Sequence, residues 1–371
     1  MSRARDFADL AGSADAGGIT GRNMVVNGSM AISQRGSSFT GFGAAVNYGI
    51  DRFANFHNSD GAFTISQETS VVPNDFTHAL KIQTTTADSS IAAGQRLIVF
   101  TRLEGNTVSH LNWGTSAAKT VTLSFYVRSS ITGTHGGAFG NGSDDRNYPF
   151  TYTISSADTW ERKTITVAGD TTGTWATGTG RSLQVVWGLG VGSTYSGSAG
   201  AWASGDINSA TGATTGVLGT LNATWYLTGV QLEVGEKATA FEHRSFADEM
   251  YRCRRFFYKS FNYDTAPENG GASGVSFNGG LLGYCGSNNS GAYSGVLRFD
   301  PEMRTTPTVV TYGNSSGHWG RLSPTNTGTI TYSSGSGYMS NIKASGLNFG
   351  QNASGDTLLI GFGHLTASAE L

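Results

Sequence analysis

Val121-Thr122-Leu123-Ser124-Phe125-Tyr126-Val127-Arg128 places an apolar residue at every second position and a polar or amphipathic one between. Successive side chains of an extended strand point to opposite faces, so one face of this stretch suits a core and the other suits water. The pattern recurs on both sides. Phe150, Tyr152 and Ile154 alternate with threonines, and Ile165 and Val167 follow Trp160. Leu183, Val185, Trp187 and Leu189 form a further run, and Trp225 and Leu227 lead into Val230, Leu232 and Val234. Glycine-rich turns separate these runs. About eight short antiparallel strands of this kind predict an all-β fold, a two-sheet sandwich of the jelly-roll type.

Composition agrees. The 371 residues include 53 glycines, about twice ordinary usage. Charged residues are 13% of the chain, about half the usual share. The aromatic share of 11% excludes a disordered chain. Glycines without a three-residue period and only six prolines exclude collagen. No self-similar period of the solenoid or propeller kind recurs. No apolar run approaches the ~20 residues of a membrane-spanning helix, so no membrane insertion is expected. Twenty-four Lys plus Arg against 26 acids leave a net charge of −2 and no basic stripe, which argues against a nucleic-acid partner. Cys253 and Cys285 make neither a disulfide framework nor a metal quartet. One bridge between them remains open, but free thiols made in a reducing cytoplasm are the expectation. The N-terminus lacks the apolar segment of a secretory signal.

Four segments follow from the patterning. Residues 1–22 read as a short amphipathic helix over Ser2–Leu10, with Phe7 and Leu10 available for docking, followed by a Gly-Ser linker. Residues 23–244 are the sandwich. Residues 245–258 return to helical spacing: Phe246, Met250, Cys253 and Phe257 share one stripe, with acids early and arginines late. That stripe suits a junction or a symmetry axis. Residues 259–371 form a second β-domain, with strands expected at Gly274–Phe277, Gly295–Phe299, Thr308–Tyr312, Thr329–Tyr332 and Thr357–Phe362.

Particular residues also resemble a known group. Asn27-Gly28-Ser29-Met30, Gln34-Arg35-Gly36 and Tyr48-Gly49-Ile50-Asp51-Arg52-Phe53 are similar to the opening of bacteriophage tail-fibre and tail-tip proteins. Trp187-Gly188-Leu189-Gly190 with Gly192-Ser193, and the run from Thr228 through Gln231, Glu233 and Gly235 to Ala238, Thr239, Phe241, Glu242 and Arg244, continue the likeness. So do Cys253-Arg254-Arg255-Phe256-Phe257, Met303-Arg304 with Pro307-Thr308, and the final Ala369-Glu370-Leu371. The resemblance implies a homotrimeric adhesin of the distal tail, made in the host cytoplasm and released by lysis. It implies an N-terminus bound to tail-tip or baseplate proteins, and a sandwich like a carbohydrate-binding module facing a host-surface glycan. The competing readings are a polysaccharide-depolymerising tail spike and a purely structural tail-tip or baseplate component.

A glycan site needs an aromatic face for the apolar side of a sugar ring and polar groups for its hydroxyls. Trp187, Tyr195 and Trp202, separated by Gly-Ser loops, are the candidates, although the alternation of Trp187 with Val185 and Leu189 also suits a core. The oxygen-rich loop Asn141–Asn147, with Asp144 and Asp145, reads either as an Asx-capped hairpin turn or as a cation or sugar loop. Candidate acids for a hydrolase are Asp144, Asp145, Asp158, Glu161, Asp170 and Asp206. None lies in a recognisable catalytic motif, so no enzymatic activity is expected. The seven histidines have no metal-ligand spacing, and no cofactor is expected beyond, at most, a structural ion.

Overall fold

The computed structural model describes residues 21–268, 281–285, 293–312, 320–322, 330–331, 337–351 and 359–371. The N-terminal helix with Phe7 and Leu10, and the strand expected at Gly274–Phe277, lie outside the described residues. The chain divides into two compact units. One is built on Ser37–Phe246 with 21–33 and Leu371, the other on Ala247–Glu370 with Gln34–Gly36.

The first unit is a sandwich. Its strands are β1 (Ser38–Phe39), β2 (Asn47–Tyr48), β3 (Phe53–His57), β4 (Ala62–Glu68), β5 (Ala79–Thr86), β6 (Arg96–Glu104), β7 (Val121–Ser129) and β8 (Gly133–Asn141). They continue with β9 (Arg146–Ile154), β10 (Glu161–Val167), β11 (Arg181–Val191), β12 (Ser196–Gly197), β13 (Ala203–Ser204), β14 (Ser209–Ala210) and β15 (Thr224–Val234). Among the described residues, one sheet has the order β1-β4-β5-β15-β7-β10 and the other β13-β9-β8-β11-β6-β3-β2. The inner orders β5-β15-β7-β10 and β6-β11-β8-β9 arise because the chain crosses between sheets at nearly every step. That is the double Greek key of a jelly roll.

The two inner faces share one core. Val121, Leu123, Phe125 and Val127 of β7 are fully buried, as their alternation requires. They meet Leu183, Val185, Trp187 and Leu189 of β11. Trp187 lies 5.6 Å from Phe125 in an edge-to-face contact and 6.4 Å from Phe53, so its ring ties both sheets together. The sequence expected the opposite face of β7 to be wet. Instead Thr122 and Ser124 are buried too, because the segment after β15 crosses that face: Thr122 donates to the Gly235 carbonyl at 2.7 Å.

Much of the tail-fibre-like motif proves to be a clasp that fixes the start of the sandwich to its last strand. The Asn23 amide donates to the Val230 carbonyl at 3.0 Å, and its oxygen accepts from the N–H groups of Val25 and Leu232. The Glu242 carboxylate accepts from the N–H of Asn23 at 2.8 Å and from that of Gly21. Arg244 donates to the carbonyls of Val25 and Asn23. Asn27 sits at φ 61° and bonds both the N–H and the carbonyl of Ile32. Gly28 is required beside it, since a Cβ there would stand 2.1 Å from the Val230 carbonyl oxygen. Gln231, Glu233 and Thr239 complete the arrangement, with buried Glu233 accepting from the Gln231 amide and from the N–H and hydroxyl of Thr239.

The helix after the sandwich spans Phe246–Arg254, shorter than the 245–258 expected. Its buried stripe also differs. Glu249 and Cys253 are buried, Phe246 is 52% exposed, and Met250 is half-buried. Phe257 is not on the helix at all. The N–H of Phe256 closes a turn onto the Cys253 carbonyl at 2.9 Å, and Phe257 opens strand β16 (Phe257–Lys259). Cys253 is buried.

In the second unit the strands are β17 (Leu281–Cys285), β18 (Tyr293–Arg298), β19 (Thr308–Tyr312), β20 (Gly320–Leu322), β21 (Ile330–Thr331), β22 (Gly337–Lys343), β23 (Gly346–Gln351) and β24 (Leu359–Ser368). Strand β24 is the hub and pairs antiparallel with β16, β17, β19 and β20. Phe299, Met303, Leu347, Leu365, Ala367 and Ala369 form its core. The sequence had placed Gln34–Gly36 in the sandwich. In the structure they belong to the second unit, where Arg35 stacks 3.7 Å over Phe257 and pairs with Glu370 at 3.0 Å.

Candidate functional site

Loops gathered beside the β8–β9 hairpin build an aromatic platform. The segment after β6 carries Trp113, the loop after β10 carries Trp175, the loop before β13 carries Trp202, and β9 supplies Tyr148. Trp113 meets Trp175 at 4.7 Å and 82°, and Trp202 at 5.3 Å and 77°. Trp175 and Trp202 are 5.6 Å apart at 85°, and Tyr148 reaches Trp202 at 5.5 Å. Each contact is edge-to-face, the arrangement that the ring quadrupoles favour.

Each indole N–H is fixed by a loop carbonyl. Trp113 donates to Lys119 at 2.7 Å, Trp175 to Thr172 at 3.2 Å and Trp202 to Ala168 at 2.8 Å. Trp113 is the buried floor, while Trp175 and Trp202 stay half-exposed. Two glycines at positive φ let the loops close. A Cβ on Gly114 would stand 3.1 Å from the Trp175 ring, and one on Gly173 2.7 Å from Arg146 Cγ.

A polar rim borders the rings. Arg146 donates Nε and Nη2 to the two oxygens of Asp170 at 2.8 and 2.7 Å. The Thr172 N–H and hydroxyl both reach the same carboxylate at 3.1 Å. Burial pushes the Asp170 carboxyl up, but the Arg146 bonds and the Thr172 N–H outweigh it and hold the group below the usual carboxylate range. Such a site offers the edges and partial faces of three mutually perpendicular indoles, with fixed polar groups at its border.

The sequence candidates are not brought together. Trp187 is fully buried in the core and cannot touch a ligand, which corrects its candidacy. Trp202 joins the platform. Tyr195 lies elsewhere, under the Arg96 guanidinium at 3.8 Å, with Arg96 bonded to Asp206 at 2.7 Å and Asn208 at 2.5 Å. Asp144 and Asp145 cap the β8–β9 hairpin. Asp144 accepts from Arg181 at 2.6 Å and from Gln184 at 2.7 Å, and Asp145 accepts from Asn141 at 2.6 Å. The other acids are similarly engaged: Asp158 pairs with Arg128 and Glu161 with Lys163. Among the described residues no group of three or more His, Cys, Asp or Glu is arranged to hold a metal ion.

Sequence reasoning missed Trp113, Trp175 and Tyr148. The signal that singled out Trp202, an isolated aromatic in a Gly-rich loop, was equally present at Asn112-Trp113-Gly114 and Gly173-Thr174-Trp175.

The described geometry defines a jelly-roll β-sandwich with a loop-borne aromatic platform. No protein-family model matches the chain, and no curated protein matches it in sequence. Solved structures match parts of the chain at low similarity. The enzymatically active domain of tailspike protein 4 of bacteriophage CBA120 is 10% identical with a TM-score of 0.30; the match covers 57% of this chain and 21% of that one. A family 11 carbohydrate-binding module from Clostridium thermocellum is 8% identical with a TM-score of 0.26, covering 56% of this chain and 99% of that one. The CBM22-1 and GH10 modules of the xylanase Xyn10B from Clostridium thermocellum are 11% identical with a TM-score of 0.26, covering 57% of this chain and 30% of that one. Likenesses this low assign neither a ligand nor a role.

Proposed function

We propose that this chain is a bacteriophage tail-fibre adhesin whose sandwich holds a host-surface glycan on the Trp175–Trp202 platform. The observation that carries glycan binding is the pair of half-exposed indoles fixed edge-to-face over buried Trp113, beside the Arg146–Asp170 ion pair. Half-buried tryptophans held in one geometry lose little further entropy when they bind. The tail assignment rests on the motif resemblance from Asn27 to Leu371. On this reading the chain is a homotrimer attached to the tail through its N-terminus, and it binds without cleaving. Each acid considered for hydrolysis is occupied by a cation or an amide, which supports binding over catalysis. A weak single site suffices, because several copies on one virion raise avidity by orders of magnitude.

The test is a bacterial-surface polysaccharide array probed with the full chain and with the Trp175→Ala/Trp202→Ala double variant. Selective binding that the double variant loses supports the reading. Equal binding by both proteins, or reducing ends released from a bound polysaccharide, refutes it. Light scattering giving a monomer would remove the trimer.

A further inference from the structure

Asn141, the last residue of β8, is fully buried and uses both its donor and its acceptor capacity at the border of the platform. Its Oδ1 accepts from the N–H groups of Asp145 at 3.1 Å and of Arg146 at 3.3 Å. Its Nδ2 donates to Asp145 Oδ1 at 2.6 Å and to the Thr174 carbonyl at 3.2 Å. One side chain thus ties the β8–β9 turn to the loop that carries Trp175, and it holds the Asp145 carboxylate beside that loop. The Asp145 main chain is fixed from the other side. Its carbonyl accepts at 3.1 Å from the N–H of Gly205, just past Trp202.

The Asp145 carboxylate is only half used. Asp145 is exposed, and among the described residues no hydrogen bond reaches its Oδ2. Among them, too, no lysine, arginine or histidine forms an ion pair with it. The two arginines of this border are committed elsewhere. Arg146 gives Nε and Nη2 to Asp170, and Arg181 pairs with Asp144 at 2.6 Å. The Asp170 bonds, and then the charges of Asp170 and Asp145, raise the Arg146 pKa against the opposing effect of burial. Lys119 gives its carbonyl to Trp113, while its ammonium lies near His110, whose pKa is lowered by burial and then by that charge. Asp145 is therefore the one acid of the border without a cation of its own.

We infer that the platform takes a glycan that is uncharged where it meets the rings, and that Asp145 is the residue that sets this specificity. This substrate class rests on the platform reading. Asp145 Oδ2 is an acceptor for a sugar hydroxyl. Arg146 Nη1, which has no partner among the described residues, is a donor to a neighbouring one. An acceptor and a donor on consecutive residues match adjacent hydroxyls of a neutral pyranose. A uronate, phosphate or sulfate ester at that place would bring a second negative charge up to Asp145. The side-on fork of Arg146 is already filled by Asp170, so that charge gains no free counter-ion. Repulsion between like charges at contact distance outweighs the one hydrogen bond gained. Asn141 acts through Asp145 as a positioning residue, since it keeps Oδ1 occupied and the carboxylate at the Trp175 loop.

The experiment arrays uronate-containing bacterial-surface polysaccharides as such and after reduction of their carboxyl groups to alcohols, beside neutral ones. The full chain, Asp145→Asn and Trp175→Ala/Trp202→Ala are compared at low and at physiological ionic strength. The parent should bind neutral and carboxyl-reduced polymers about tenfold more tightly than the acidic forms, with the gap narrowing as salt rises. Asp145→Asn keeps the shape and a carbonyl acceptor but drops the charge. It should strengthen binding of the acidic forms until they lie within about twofold to threefold of the reduced ones, a gain that damaged folding does not produce. Equal or tighter binding of the acidic forms by the parent, or a preference unchanged in Asp145→Asn, overturns the inference and leaves the platform standing. Binding by the tryptophan double variant equal to that of the parent, or no binding to any form, overturns both.

Discussion

Arg146 and Asp170 meet in a two-pronged ion pair, Nε to Oδ2 at 2.8 Å and Nη2 to Oδ1 at 2.7 Å, with the Asp170 side chain only 2% exposed. The pair joins the start of β9 to the loop that carries Trp175, so it fixes the polar border of the platform. Arg146 keeps about a quarter of its side chain in water (23%). Asp170→Asn should therefore cost about 2 kcal/mol, between the values for exposed and buried pairs. The native carboxyl titrates below its unfolded value of about 3.9. Its contribution is thus complete above that pH and is lost as pH falls through the lower native value. Urea midpoints should show a steeper acid loss in the parent than in Asp170→Asn, and parallel curves would contradict the assignment.

Floor and surface of the platform should respond differently to truncation. Trp113→Ala removes a buried ring and should cost about 3–5 kcal/mol of stability. Trp175→Ala and Trp202→Ala remove half-exposed rings and should cost less stability while each weakening glycan binding about tenfold, or about 1.4 kcal/mol. Tyr195→Ala should leave that binding unchanged, since its ring lies under Arg96 away from the platform. Calorimetric unfolding and array binding on the same four proteins separate the two effects. Loss of binding in Tyr195→Ala with retention in Trp175→Ala would move the site to the Arg96 region.

The sandwich was legible because strand alternation is a local property. Val121 to Val127 and Leu183 to Leu189 show their buried faces residue by residue, and that suffices for the fold class. The platform was not legible as a unit. Trp113, Trp175 and Trp202 are contributed by three loops, and only the closure of the jelly roll brings those loops together. Trp187 was ambiguous for the converse reason: a tryptophan on an alternating strand reads as core, while its flanking glycines resemble a binding loop. The helix was overextended because Phe257 keeps helical spacing with Met250 and Cys253. The turn at Phe256 answers instead to the pairing of β16 with β24, a contact more than 100 residues away in sequence.

The clasp between Asn23 and Glu242 makes a separate prediction. Burial pushes the Glu242 carboxyl up, but the N–H groups of Asn23 and Gly21 and the Arg244 charge outweigh it and hold it below the usual range. Glu242→Gln keeps the shape but removes the charge that two backbone donors and Arg244 share. The expected cost is about 1–2 kcal/mol, from charge-assisted bonds made ordinary. The loosened segment should be cut sooner by limited proteolysis near residues 21–25, while Glu236→Gln, in an exposed turn, should behave as the parent. Identical cleavage rates in Glu242→Gln and the parent would show that the clasp does not hold that segment.

His135 sets the behaviour of the sandwich in mild acid. Its ring is fully buried on β8, stacked 5.4 Å from Tyr152 at an interplanar angle of 23°. Nε2 is 2.9 Å from the Ile131 carbonyl, an acceptor, so the ring must donate there and Nδ1 is left as the unprotonated nitrogen. Among the described residues no donor reaches Nδ1, and a second proton would place an unpaired cation in the core. Burial accordingly pushes the His135 pKa down, against the smaller upward pull of the Ile131 carbonyl. The unfolded chain takes up that proton below about pH 6.5 while the native chain does not. Stability is therefore intact above that pH and falls as pH drops below it, towards the native value. His78 and His110 are shifted the same way from more exposed positions, so part of the slope belongs to them. His135→Gln, whose amide can still donate to Ile131, should be less stable at neutral pH but show a flatter loss between about pH 6.5 and 5. An unchanged slope in urea midpoints across that range would place the acid sensitivity elsewhere.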